Sequence, residues 1–374
     1  MQNSNVALML TGGGARAAYQ VGVLKAITSL FPRNHHIPFP VLCGTSAGAI
    51  NATALACYAS CYHLGVRKLE WVWKNFSTEQ VYVASMSGTL RHMAGNYFSK
   101  YQSDDVRNSK GSLLDNRPLR RLLRAMLDFK RIDRNIHTQY LRAISVTVSS
   151  YSSHDSVSYF QGQPDQSRWQ RQKRRGEPCK LEVDHLLGSA AIPIVFPVVQ
   201  LGDDYVGDGS IHQLSPLSTP IHLGAEKVLV VGVGQRDKNL RMQPHIFPRS
   251  ATVAGHLLDT LFADTLDADI ERLERINKTL SIMTPEQLKS TELKPIDCMV
   301  IKPSQDLTAI ARKHYKNLPS GIRTLLKLIG VSEHSESSLP SYLMFEGSFC
   351  QELIQLGYKD GMERKEQLKA FLEI

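Results

Sequence analysis

Val41-Leu42-Cys43-Gly44-Thr45-Ser46-Ala47-Gly48-Ala49-Ile50-Asn51 is the stretch that decides the fold. Three apolar residues run into a glycine, a serine follows two positions later, and an alanine-rich tract begins directly behind it. This pattern predicts a very short buried strand that breaks at Gly44 and a helix over residues 47–64. Gly44 to Gly48 spells G-x-S-x-G, which forms a nucleophile elbow when it lies between a strand and a helix. Gly44 and Gly48 permit the tight turn, and the positive end of the helix points back at the serine, favouring an attacking alkoxide. A chain of this length contains such a pentapeptide by chance about one time in ten, so its context is what counts. The bland alternative for Ser46 is a helix N-cap behind a glycine turn.

Upstream, residues 6–10 read as a strand, Gly12-Gly13-Gly14 as a loop, and residues 16–30 as a helix with Ala17, Val21, Leu24 and Ala26 near one face. The amides of such a glycine loop are free to converge on one anion, and each donor of this kind is worth about 3 kcal/mol to a tetrahedral intermediate. Arg16 either adds positive charge there or faces solvent. Gly12, Gly14 and Ala17 also fit the G-x-G-x-x-A dinucleotide fingerprint. That fold needs an acidic residue about 20 positions further on, whereas the first one after Ala17 is Glu70.

Downstream, a helix is expected from Pro118 with Asn116 as its cap. Strands are expected at residues 142–149 and 156–160, then a hydrophilic loop at 161–180 and a short helix at 183–190 that stops before Pro193. A strand tip at 205–207 and a β-branched run at 227–233 suit a buried parallel sheet. Residues 69–76 read as a helix with Trp71 and Trp73 on opposite sides, and residues 99–110 as a polar, flexible tract. Beyond about residue 235 the pattern is mainly helical, with one more strand at 297–302. Alternating strands and helices indicate an α/β fold, divided into a core domain at 5–235 and a helical extension packed on it at 236–374.

Apolar residues make up 42% and charged residues 21% of the 374, which excludes disordered and collagenous classes. Cys43, Cys57, Cys61, Cys179, Cys298 and Cys350 follow no framework spacing, so a reducing compartment is expected. Cys57 and Cys61, four apart on the expected helix and close to His63, lack a second ligand pair and read as packing residues. The His35-His36 pair, in a proline-rich loop, is expected to be exposed. Residues 6–11 are too short for a signal-peptide core, and no apolar run is long enough to span a bilayer. A cytoplasmic protein is expected, with at most peripheral membrane contact. The net charge of +9 suits nucleic acid or an anionic lipid surface. Arg168, Arg171, Lys173, Arg174 and Arg175, with Trp169 among them, form either a solvated loop or one that docks on anionic lipid through Trp169. They match no nucleic-acid-reading module, so nucleic acid is not an expected partner. Ile322, Leu325, Leu326, Leu328 and Ile329 read as one face of a docked amphipathic helix, or as a cover for an acyl site.

Ser46 needs a base, commonly a histidine backed by an acid. His212, His222, His245 and His256 are available, yet none sits in a distinctive turn. Gly207-Asp208-Gly209 at the end of a short strand does, unlike Asp360-Gly361 in the helical tail. The residues Gly12-Gly13-Gly14-Ala15-Arg16 with Gly22, Gly44 through Asn51, Ser189-Ala190-Ala191-Ile192-Pro193 with Phe196-Pro197, and Asp208-Gly209 together resemble the patatin-like phospholipase family over residues 5–235. The resemblance implies a three-layer α/β/α fold with a mostly parallel sheet. It also implies a Ser–Asp dyad, with Ser46 as nucleophile and Asp208 as base. Gly12, Gly13, Gly14, Ala15 and Arg16 form the oxyanion hole it implies, and it requires no metal or organic cofactor. The implied substrates are phospholipids, lysophospholipids or other acyl-ester lipids. Ser210 departs from the family, which usually has Gly or Ala there. An acyltransferase working through the same acyl-enzyme, and a non-catalytic lipid- or partner-binding protein, are the alternatives. A free aspartate has a pKa of about 3.9, so Asp208 needs a water-poor pocket to act as a base, and activity is expected to fall as the pH drops through its titration.

Overall fold

The computed structural model describes residues 5–83, 112–234, 250–328, 330–333, 335 and 337–374. Ten strands form one sheet: β1 (Val6–Leu10), β2 (Val41–Thr45), β3 (Ala143–Ser150), β4 (Ser156–Gly162), β5 (Trp169–Arg171), β6 (Arg174–Pro178), β7 (Val199–Leu201), β8 (Asp204–Asp208), β9 (Lys227–Val231) and β10 (Asp297–Ile301). Their main order is β10-β9-β1-β2-β3-β4-β6-β5. The first five of these are mutually parallel. Such strands are buried on both faces, which is why β1 and β9 are apolar at nearly every position instead of alternating.

The two faces carry separate cores. Val6, Leu8 and Leu10 of β1 point into one, while Ala7 and Met9 point into the other with Val228 and Val230 of β9. The first face is covered by α1 (Ala18–Thr28), α2 (Ala47–Cys57) and α3 (Tyr62–Lys74) together with C-terminal helices. On the second face Leu217, Leu223, Leu266 and Leu273 pack. Three layers result, with the sheet in the middle.

The C-terminal third is woven into this frame. β10 lies in the same sheet, parallel to β9. The helix Gly347–Glu363 crosses α1 so closely that a Cβ on Gly22 would stand 2.1 Å from the Ile354 carbonyl oxygen, and one on Gly357 2.1 Å from that of Tyr19. Glycine at both positions is what lets the two backbones touch.

The register of β3 determines what meets at the site. β2 runs parallel to β3 and ends with Thr45 opposite Thr147. β4 occupies the other edge of β3 from Ala143 to Ser149. β8 therefore has to share the β2 edge, which it enters from the opposite direction, with Asp208 opposite Val148. The last residue of β2 and the last residue of β8 thus occupy neighbouring rungs, and Ser46 emerges at the point where Asp208 arrives.

Four expectations need correction. The helix over 47–64 is two helices, α2 and α3, because the proline-rich loop intervenes: the Ile37 amide donates to the Ala59 carbonyl and the Tyr62 amide to that of His35. Cys57 ends α2 and Cys61 precedes α3, so they do not share a helix face. His35 and His36 are half-buried, stacked on each other and flanked by Phe31 and Tyr140. The hydrophilic loop 161–180 contains the β5–β6 hairpin, whose two-residue turn places Lys173 at a positive φ of 61°. That turn lacks the Asn-Gly or Asp-Gly signature by which hairpins are usually read. The tract 99–110, His245 and Ile329 lie outside the described residues. Trp73 is buried and Trp71 exposed. Leu328 is exposed, whereas Ile322 and Leu326 are buried. No described helix is long and apolar enough to cross a membrane.

Candidate active site

Ser46 is the single residue between β2 and α2, with φ 55° and ψ −130°. A non-glycine residue held there is strained, and the flanking glycines are what permit the turn. A Cβ on Gly44 would lie 2.5 Å from the Ala49 Cα, and one on Gly48 would lie 2.3 Å from the Leu10 carbonyl oxygen. The elbow is pinned from behind by Ser189. Its Oγ accepts from the Ser46 amide at 2.8 Å and donates to the Thr147 carbonyl at 2.6 Å. Ser189 belonged to one of the recognised sequence stretches, but nothing in that stretch announced its role as a strut.

Asp208 is 1% exposed. Its Oδ1 accepts from the Ser210 amide at 3.0 Å, while Oδ2 is buried and makes no hydrogen bond of ordinary geometry among the described residues. Burial pushes the carboxyl up to about 6, and the nearby hydroxyls of Ser46 and Ser210, with the Ser210 amide, pull it part of the way back. The Ser46 side chain thus lies beside the carboxyl. Gly209 follows Asp208 because a Cβ there would stand 2.2 Å from the Thr147 carbonyl oxygen. The Thr45 hydroxyl donates to Gln213 Oε1 at 2.9 Å, joining the end of β2 to the loop after Asp208.

The glycine loop lies alongside. A Cβ on Gly12 would come within 2.8 Å of Ser210 Oγ, and Gly14 lines the same pocket as Ser46. Gly14 has φ +53°, and a Cβ on it would lie 2.3 Å from the Tyr342 carbonyl oxygen. Among the described residues nothing accepts from the amides of Gly12, Gly13, Gly14 or Ala15. Arg16 stands apart, since its amide donates to the Gly13 carbonyl. Its side chain does not face solvent, as one reading allowed, but is 5% exposed. The guanidinium donates to Ser341 Oγ at 2.7 Å, the Tyr342 hydroxyl at 2.8 Å, Asp259 Oδ1 at 3.1 Å and Thr308 Oγ1 at 3.2 Å. Those four partners come from the C-terminal third, where no sequence motif marked them.

From Ser46 an apolar pocket extends between Trp73, Leu119, Leu123, Met126, Phe196 and Phe345. Its free space of about 40 Å³ holds no more than a water or two, so an acyl chain entering it has to push these side chains apart. Trp73 Nε1 donates to Asn51 Oδ1 at 2.9 Å, and Asn51 Nδ2 to Gln20 Oε1 at 3.0 Å, a buried polar chain that fixes the pocket floor to α1 and α2.

Of the other candidates, His212 lies near the site but is half-buried beside His154, with an imidazole held below its usual range by burial, by His154 and by Lys173. Trp169 is half-buried and stacks on Phe160 at 5.1 Å and on His222 at 5.1 Å. Among the described residues there is no cluster of three metal-ligating side chains.

Comparison with solved structures gives weak likenesses. VipD from Legionella pneumophila has 11% identity and a TM-score of 0.35, over 100% of this chain and 67% of that one. Full-length ExoU from Pseudomonas aeruginosa, in complex with SpcU, has 14% identity and a TM-score of 0.28, over 91% and 70%. These likenesses are too slight to bear on fold or activity. The curated proteins yield no match. The sequence profile of the patatin-like phospholipase family matches residues 8–221, more than half of the chain, including Gly12 to Arg16, Ser46 and Asp208. The chain belongs to the patatin-like phospholipase family.

Proposed function

We propose that this chain is a lipid acyl hydrolase releasing fatty acid from phospholipids, lysophospholipids or related acyl esters through a Ser46–Asp208 dyad. The observation that carries this reading is the meeting of Ser46, on a left-handed elbow, with a buried carboxyl of raised proton affinity on the neighbouring rung of β3. Ser46 Oγ attacks the ester carbonyl and gives its proton to Asp208. The negative oxygen that forms takes hydrogen bonds from the free amides of residues 12–15. Collapse expels the alcohol, which recovers the proton from Asp208 and leaves an acyl group on Ser46. Water then attacks the acyl-enzyme, its proton passing to Asp208 and from there back to Ser46 as the fatty acid departs. A carboxyl titrating at about 6 is ionised at neutral pH yet a far better base than one at about 3.9.

The apolar pocket running from Ser46 supports an acyl chain as the group held there. The net charge of +9 supports approach to an anionic lipid surface. A fluorophosphonate probe should label the wild type and fail to label Ser46→Ala. Fatty-acid release from a panel of phospholipids, lysophospholipids, triacylglycerols and thioesters should identify the substrate class. Failure of the folded wild type to react with the probe would sink the reading.

A further inference from the structure

A cavity of about 640 Å³ lies at the opposite end of the sheet from Ser46. Asn5, Arg142, Glu226 and Ile296, which immediately precede or open β1, β3, β9 and β10, line it. Cationic side chains line it, Arg174 and His222 half-buried and Arg171 and Arg272 exposed. Arg174, on β6, is fixed by its Nε on Ser218 Oγ at 2.9 Å, and its neighbour across the hairpin turn is Arg171. His222 shares the wall, its ring stacked on Trp169. Burial, reinforced by the Arg171 and Arg174 charges, holds the His222 imidazole below its ordinary range. Arg272 completes the group, on Ser215 at 2.9 Å and Asp269 at 3.2 Å.

Arg272 is ion-paired with Asp269, whereas among the described residues neither Arg171 nor Arg174 forms an ion pair. Asp269 is the buried carboxylate of the cavity, and it also accepts from the Leu217 amide at 2.9 Å. Glu226 and Glu292 are exposed, where water screens them. Arg142 is engaged by Asp165 at 2.7 Å. Holding two unpaired guanidiniums side by side at one cavity is unfavourable unless an anion joins them.

We propose that this cavity binds a phosphate ester of sugar or polyol size, with Arg171, Arg174 and His222 around the phosphate and the apolar wall of Leu217 and Leu273 along the carbon skeleton. A phosphomonoester carries nearly two negative charges near neutral pH, enough to offset two guanidiniums, and guanidinium forks match its oxygens. A carboxylate offsets only one. The volume is typical of small-molecule sites, roughly 300–1,000 Å³, and far exceeds what a bare phosphate ion fills. The same chemistry is offered by a soluble sugar phosphate and by the headgroup of a phosphomonoester lipid. The site stands independently of the acyl chemistry at Ser46.

Calorimetric titration of the full chain with fructose 1,6-bisphosphate tests the soluble source. Sedimentation of Ser46→Ala, which consumes no lipid, with phosphatidylcholine vesicles containing or lacking phosphatidic acid tests the headgroup. Saturable binding that weakens at least about tenfold in Arg174→Gln and in Arg171→Gln, and that moves the His222 ring titration to higher pH, supports the proposal. The arm that responds names the source. Arg171 is exposed, so its variant folds even if loss of the Arg174–Ser218 contact unsettles the hairpin. Absence of binding in both arms, or binding of equal strength in Arg171→Gln and wild type, overturns it.

Discussion

Asp208 is where burial and chemistry oppose each other. Its carboxyl titrates at about 6 in the fold, against an ordinary value of 3.8. A carboxyl raised in this way favours the folded state when protonated. Its contribution is fully present below the ordinary value and is lost as the pH rises through about 6. The interval corresponds to on the order of 3 kcal/mol, carried at neutral pH as the cost of a buried carboxylate. Asp208→Asn should therefore lose activity by 10³-fold or more and yet gain stability, with a gain in urea-unfolding free energy that grows between pH 5 and pH 8. A gain of equal size at both pH values would show that the carboxylate is not strained by burial. In the wild type, kcat/KM should fall about tenfold per pH unit below about 6 as the base becomes protonated. A profile flat down to pH 4.5 would remove Asp208 from the base role.

Among elements, the strand-turn-helix units were the most legible in sequence. Glycine spacing and apolar runs are local signals, and β1, α1, β2 and β9 carry them strongly. What the sequence hid was set by tertiary contact. The break between α2 and α3 depends on an amide and a carbonyl from a loop more than 20 residues away in the chain, and the β5–β6 turn uses Lys173 where a glycine would have advertised it. Ser46 and Asp208 could be singled out by their motifs, but their meeting depends on the shared edge of β3, which no local pattern encodes. Gly22 illustrates the same division. It lay within a recognised stretch, and its reason is the crossing with Gly347–Glu363, where a side chain would collide with the Ile354 carbonyl. Gly22→Ala should cost about 1–3 kcal/mol by thermal unfolding while leaving kcat of the folded fraction within about twofold. A large fall in kcat at unchanged stability would mean that this crossing acts on the site directly.

At the scale of the whole molecule, the glycine loop and the C-terminal third depend on each other through Arg16. One guanidinium binds Asp259, Thr308, Ser341 and Tyr342, three separated segments, and its carbon Cζ sits 3.9 Å from the Tyr342 ring centroid. The Gly14 backbone meets the Tyr342 carbonyl directly beside it. Shape and charge are both required there, so lysine is not an adequate substitute. Arg16→Lys should remove most of the fork, lowering stability by on the order of 2–4 kcal/mol. Because the amides of residues 12–15 are then less firmly held, kcat should fall about tenfold to a hundredfold while KM changes little, the pattern of an interaction realised in the transition state. Kinetics and urea melts on the same preparation decide the matter. If KM rises with kcat preserved, the C-terminal third shapes the lipid pocket instead. If only the melt shifts, Arg16 fastens the molecule together without steadying the amides of residues 12–15.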